Sequence, residues 1–221
     1  MGDLIWQQSL FGNTNEEYRV EQIEKQDTHW FMLNLHYAKR IPSISYSYGL
    51  IHNNDLVGVV TYGTPPSSTL CRGICGDAYQ QHVVELNRLV LKNNAKNEAS
   101  RLVGGSMKLL PTPKIVVSFA DSAQDHYGYV YQATNFIYTG LSAKFVDPQV
   151  KGLEHQHHAT YAHGLTNKEV IEKYGAENVY FIERSRKHRY IKFLGNKREI
   201  KTMMASLKYD VLPYPKKVCG G

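Results

Sequence analysis

Residues 118–136 read "SFADSAQDHYGYVYQATNF", a run of titratable and aromatic groups placed directly after an apolar stretch. Asp121, Asp125 and His126 are candidates for proton transfer, because a carboxylate at the end of a buried strand can be poised by burial or by a titratable neighbour. Asp121 also has a structural alternative, since an aspartate after a strand often caps the next helix. Tyr127, Tyr129 and Tyr131 suit either stacking on a base or ordinary packing with a satisfied hydroxyl. A second cluster, "EHQHHATYAH" at 154–163, offers His155, His157, His158 and His163 as metal ligands. It has no carboxylate partner at a matching spacing, which favours exposed or phosphate-contacting histidines. Cys71, Cys75 and Cys219 make an odd count and read as free thiols, because two neighbouring cysteines do not complete a four-ligand zinc site.

Charge separates the chain into two unequal parts. Residues 151–221 hold 14 Lys+Arg against 7 Asp+Glu and residues 1–150 hold 12 against 13, so the last third carries all the excess behind the net charge of +6. Within it, "RSRKHRYIKFLGNKREIK" at 184–201 opposes eight basic residues with Glu199 alone. Basic side chains interleaved with Tyr190 and Phe193 fit phosphate neutralisation beside base stacking, and equally a solvated basic face. No stretch approaches the roughly 18 uninterrupted apolar residues of a membrane span, and the beginning of the chain lacks a secretory signal. A cytoplasmic protein without a membrane partner is expected.

The elements that must position these groups follow from periodicity. Thr28 is a possible N-cap for a helix that spaces Trp30, Leu33, Tyr37 and Ile41 on one face and stops at Pro42. "SISYSYGLIHNNDLVGVVTYGTP" alternates around Asn53-Asn54-Asp55 and predicts a hairpin whose second arm is 56–62. A loop holds Cys71 and Cys75; "HVVELNRLVL" is a strand, "NEASRLVGGSMKLL" a helix, "KIVVSFAD" a short buried strand, "QDHYGYVYQATN" a helix and "FIYTG" a strand. This order predicts an α/β protein with a mixed central sheet flanked by helices, and ligands outside the carboxyl ends of its strands.

Several separated motifs, in order, carry a resemblance. "HYAKR" at 36–40, "ELNRLVL" at 85–91, "NEASRLVGGSMKLL" at 97–110 and "SFADSAQDHYGYVYQATNF" together resemble the Mom family of bacteriophage DNA-modification proteins. "KHRYIKFLG" and "LPYPK" resemble that family's C-terminal part more weakly. The resemblance implies a fold similar to the GNAT acyltransferases and a transferase that converts the exocyclic N6 amine of adenine in DNA to a methylcarbamoyl derivative, protecting phage DNA from host restriction. It places His36, Tyr37, Asp121 and Tyr131 at catalytic positions. Adjacent on a helix, His36 and Tyr37 would point about 100° apart and hold separate jobs. Glu85, Asn87, Arg88 and Ser100 fall where the donor should lie, with a structural polar network as their alternative. The family's link to iron points to His36 and Asp121 as ligands.

GNAT domains hold the coenzyme A pyrophosphate on a helix N-terminus through R/Q-x-x-G-x-G/A. "RLVGGS" at 101–106 is a partial match displaced into the helix, where Gly104 and Gly105 can simply permit close packing. An acyl-CoA donor is thereby put in doubt. The CH2-CO-NH2 product has the atoms of a glycine amide, so glycyl-tRNA is a chemically reasonable alternative donor. The combined expectation is a catalytic core over 1–150 and a basic extension over 151–221. Double-stranded DNA is the partner, with tRNA a second one if it carries the donor. Arg184, Arg186, Lys187 and Arg189 would meet phosphates, and Tyr127 would share a helical face with Tyr131 to receive an extruded base. Two other readings are a conventional acyl-CoA N-acyltransferase and a nucleic-acid-binding protein without chemistry.

Overall fold

The computed structural model describes residues 18–156, 159–162 and 164–216. In chain order these form β1 Tyr18–Gln22, β2 Tyr46–His52, β3 Asp55–Gly63, α1 Ser68–Cys75, β4 Val83–Leu91, α2 Glu98–Leu109, β5 Lys114–Asp121, α3 Tyr129–Ala133, β6 Ile137–Leu141, β7 Val146–Val150, α4 Ala159–Ala162, α5 Asn167–Tyr174, β8 Val179–Glu183, β9 Lys187–Leu194 and α6 Lys197–Ala205. Seven strands make a mixed sheet in the order β1-β2-β3-β4-β5-β9-β6, and β7 pairs with β8 in a separate ribbon. Within the sheet β4 and β5 run parallel, with α2 as their crossover. The α/β class and the flanked mixed sheet are as expected. No helix among the described residues is long and apolar enough to cross a membrane.

Each face of the sheet has its own core. On one, Leu102, Val103 and Met107 of α2 pack with Tyr131 against Tyr48, Tyr62, Val84, Val116 and Tyr190. On the other, Cys71, Ile74 and Cys75 of α1 and Met203 of α6 cover Val83, Ile115, Val117, Ile191 and Phe193. The segment expected as a loop with two cysteines is therefore a helix. Ser67 caps it, its hydroxyl accepting the Leu70 N–H at 3.2 Å. Its apolar positions at i, i+3 and i+4 form one buried stripe. Burial pushes the Cys71 thiol up and the Cys75 thiol to about 11, as inert thiols require.

The predicted hairpin forms: Asn53 and Asn54 lie at φ 48° and 70°, the left-handed pair that a tight two-residue turn between twisted strands demands. The first predicted helix does not form as drawn. A 3-10 turn, Lys25–Thr28, leads into a π-helical turn, Phe31–Leu35, and His36 is already extended at φ −78° and ψ 135°. Thr28, Phe31 and Met32 are the buried residues, whereas Trp30, Leu33, Tyr37 and Ile41 point outward. Tertiary packing against Val59 and Val90 selects Phe31, not the 3.6-residue stripe.

The helix expected over 124–135 shortens to Tyr129–Ala133. Asp125 (φ 53°) and Gly128 (φ 69°) break it with left-handed backbone, so Tyr127 and Tyr131 do not share a helical face. A Cβ on Gly128 would sit 2.4 Å from the Tyr190 ring, which makes glycine obligatory there. The basic stretch expected in an extension supplies β9, an inner strand hydrogen-bonded to β5 on one side and β6 on the other. The excursion between β6 and β9 closes over a small core of Val150, Tyr161, Ala162 and Val170.

Candidate active site

A split in the sheet makes the site. β4 and β5 pair from Val83↔Ile115 to Leu86↔Ser118 and then part, while β5 stays paired with β9 as far as Asp121↔Lys187. Between the separated carboxyl ends lies a cavity of about 660 Å³ lined from β4, β5, the 124–131 turn and the His36–Tyr37 segment. The β3–β4 register slips at this point, pairing Thr61 with Arg88 but Tyr62 with Leu86, so Asn87 is the extra residue of a β-bulge. One inserted residue reverses the alternation beyond it, which puts Glu85 and Arg88 on the same face of β4.

Glu85 is half-buried, and burial raises its carboxyl pKa against the opposing pull of Lys187 and Arg88. Burial lowers the Arg88 pKa, with Arg40 adding to the effect and Tyr37 and Glu85 opposing it. The Arg88 Nε is buried without a hydrogen-bond partner, and Nη1 donates to the Asn87 carbonyl at 2.6 Å. Tyr131 enters the cavity from the other side. Its ring packs on Phe136 and Tyr190 with centroids 5.4 and 5.3 Å away. Burial pushes its phenol up, with Ser118 opposing and Glu85 and Tyr37 adding to the rise, so it stays protonated.

Asp121 performs the capping expected as its structural alternative. Its Oδ1 accepts the Ala123 N–H at 3.0 Å and the Ser185 hydroxyl at 2.8 Å, and Oδ2 stands 3.7 Å from Lys187 Nζ. It also lines the cavity, so it ties β5, β9 and the site's rim together. Ser185 and Lys187 reach it through the β5–β9 pairing, a contact 64 residues long in sequence for Ser185 and invisible to local pattern.

His36 and Tyr37 are not on a helix, and their rings stack at 4.4 Å and 28° instead of diverging. Burial, Arg88 and then His126 lower the His36 pKa to about 4, so the imidazole is neutral at pH 7. Its Nδ1 accepts the Ala38 N–H at 3.0 Å, which leaves the proton of the neutral ring on Nε2. Iron does not fit these donors. A metal at Nε2 would require the other tautomer, and Asp121 Oδ1 is already engaged twice. Among the described residues no three of His, Cys, Asp and Glu gather as an ion site.

A diphosphate cofactor does not fit the α2 terminus either. Glu98 lies in the first turn, only 4% exposed, accepting the Ala95 N–H at 2.8 Å and the Tyr18 hydroxyl at 3.2 Å. An acidic side chain in that first turn opposes the approach of phosphate oxygens to the helix amides. Of the "RLVGGS" glycines Gly105 serves packing, since a Cβ there would meet Val20 at 2.7 Å, whereas one on Gly104 would only touch Thr134 at 4.0 Å. Of the residues expected around a donor, Glu85, Asn87 and Arg88 line the cavity and Ser100 does not. Asn87 secures the bulge, accepting from Thr61 Oγ1 at 2.7 Å and donating to the Ser43 carbonyl at 2.8 Å. The Ser100 hydroxyl donates to the Asn97 carbonyl at 3.1 Å.

The residues expected at phosphates each have a partner within the fold. Arg184 grips Asp147 in a fork and Arg186 donates to the Ser142 carbonyl at 2.7 Å. Arg189 donates to Thr139 Oγ1 and its carbonyl, both at 2.9 Å, and lies 3.4 Å over the Tyr209 ring. Lys187 faces Asp121 inside the cavity rim. Tyr127 lines the cavity with its ring 5.7 Å from that of His188, its carbonyl held by Gln132 Nε2 at 2.9 Å. His155 is exposed; His157, His158 and His163 lie outside the described residues, as does Cys219.

Comparison with known proteins gives the site its setting. Residues 17–216 match the model of the Mom protein family. The chain is similar to the protein named methylcarbamoylase mom of Escherichia phage Mu, 29% identical over 221 residues that cover 94% of this chain and 87% of that protein. Among solved structures it is similar to an acetyltransferase from Bacillus subtilis in complex with CoA, with a TM-score of 0.44, 15% identity and coverage of 81% and 100% of the two chains. An N-acetyltransferase from Staphylococcus aureus Mu50 gives a TM-score of 0.44 at 12% identity, covering 81% and 99%.

Proposed function

The chain belongs to the Mom protein family, and from that premise we propose that it transfers a methylcarbamoyl group to the exocyclic N6 amine of adenine in double-stranded DNA. In the cytoplasm of an infected bacterium such a mark would shield phage DNA from host restriction. The observation that carries the reading is the pairing, across one cavity, of a carboxyl group with a raised pKa and a protonated buried phenol. Glu85 accepts a proton as the weakly nucleophilic amine attacks, and Tyr131 donates to the oxygen that gains charge. His36, neutral and protonated on Nε2, is a second donor at the same mouth. Asp121 holds Lys187 and Ser185 in place, and Lys187 acts on the Glu85 carboxyl group. Arg88 and Tyr37 complete the electrostatic wall around the cavity.

The buried Glu98 carboxylate disfavours an acyl-CoA donor and with it the conventional N-acyltransferase reading. A glycyl ester of the kind carried by glycyl-tRNA needs no diphosphate seat at that helix terminus. The adenine amine would displace the ester alcohol, giving a glycyl amide. The glycyl nitrogen would then attack C6 and expel the amide nitrogen, leaving CH2-CO-NH2 on N6 with no atom gained or lost. Mass analysis of nucleosides from DNA of cells expressing the protein tests the reading. A methylcarbamoyl adenine supports it; unaltered DNA alongside an acylated small amine would favour the N-acyltransferase, and no product of either kind would favour a binding protein.

A further inference from the structure

We propose that residues 30–37 form a wedge that enters the DNA duplex and occupies the gap left when adenine is drawn into the cavity. The inference rests on the adenine reading above. The segment is anchored from beneath by Phe31 and Met32, which are buried, and Phe31 packs on Val59 and Val90. Its fixed outer side presents Trp30 (53% exposed), Leu33 (44%), Leu35 (42%) and Tyr37 (60%). Four large apolar side chains on one short segment exceed what scattered surface exposure accounts for. Their place is specific, because Leu35, His36 and Tyr37 line the cavity wall while Trp30 and Leu33 stand on the same segment just outside it.

Charge identifies what this edge meets. Exposed Lys39 and Arg40 follow directly, and no Asp or Glu occurs between Asp27 and Asp55. Lys92 Nζ lies 5.6 Å over the Phe31 ring, and Arg40 is near enough to Arg88 to lower its pKa. An apolar, aromatic edge set in a positive field and bordering a cavity roomy enough to admit a base matches a duplex whose phosphates flank an opened stack. Extruding a base leaves an unstacked step, and an inserted apolar side chain fills it.

The test compares a continuous mixed-sequence duplex with the same duplex carrying one abasic site, using the full chain with Trp6→Phe so that Trp30 is the reporter. Trp30 emission should be quenched by both DNAs, and the abasic duplex should bind roughly tenfold tighter because its gap is already open. With affinity read instead from the anisotropy of a fluorophore on the DNA, the Trp30→Ala, Leu33→Ala double variant, both positions exposed, should lose the preference for the gap. Equal affinity of the parent for the two duplexes, or an unchanged preference in the variant, overturns the wedge. A methylcarbamoyl adenine in cellular DNA together with no gap preference sinks the wedge alone. Failure to bind either duplex sinks both the wedge and the DNA reading. Quenching by anionic phospholipid vesicles but not by DNA would assign the edge to a membrane surface instead.

Discussion

Two acidic residues at the cavity, Asp121 and Glu85, differ in how the fold engages them. Asp121 attracts attention because it ends a buried strand, yet both of its oxygens are engaged with Ala123, Ser185 and Lys187. Glu85, inside a strand and easily read as a donor contact, is the carboxyl group whose pKa burial raises. Glu85→Gln should therefore lower the transfer rate about 10²–10⁴-fold and remove the acid limb of the pH profile. In the parent that limb should lie above the ordinary carboxylate range, with activity rising with pH as Glu85 loses its proton. Asp121→Asn should keep the limb and reduce the rate less. His36 makes a separate prediction, in stability. Its folded pKa of about 4 lies below its ordinary 6.5, so near pH 5 the unfolded chain binds more protons and folding is weakened. Stability should rise with pH from 4 to 6.5, and His36→Gln should flatten that rise in thermal melts. The types of these residues were legible in the sequence. Which carboxylate was desolvated was not, because the walls that bury Glu85 come from the His36–Tyr37 segment, β5 and the 124–131 turn, all remote from it in sequence.

At the scale of elements, local pattern succeeded where local chemistry decided the outcome. The Asn53-Asn54 turn and the strand "KIVVSFAD" were readable because turn geometry and apolar continuity belong to neighbours in sequence. The helix over 28–41 was not, because its apolar stripe faces outward and Phe31 and Met32 are the residues the sheet buries. α1 was missed behind Pro65, Pro66 and Gly73, although the Ser67 cap and the Cys71, Ile74, Cys75 spacing were its signal. α2 allows a sharp test. Gly105 meets Val20 with no room for a Cβ, so Gly105→Ala should cost about 1–3 kcal/mol through overpacking. The melting temperature should fall by roughly 2–10 °C. If the glycine instead served a phosphate, the variant would lose activity and keep its melting point.

For the whole molecule, net charge and surface are different quantities. The sequence places its positive excess in the last third, but Arg184, Arg186 and Arg189 there are tied to Asp147, Ser142 and Thr139. Arg189→Ala should lower the melting temperature and leave the salt dependence of DNA binding unchanged. Replacing Lys39 and Arg40 should lower the slope of log affinity against log salt by about 0.9 for every phosphate that is no longer neutralised. Sequence alone could not sort these cations, because partnership is set by the strand order that brings β9 beside β6. That order also governs how the protein is made. A ribosome releases β5 and β6 well before Lys187–Leu194, and until that strand slides between them both hold open backbone edges, the template on which sheets aggregate. A nascent chain stalled before residue 187 is therefore a sticky intermediate rather than a smaller enzyme, and its fate falls to chaperones and proteases.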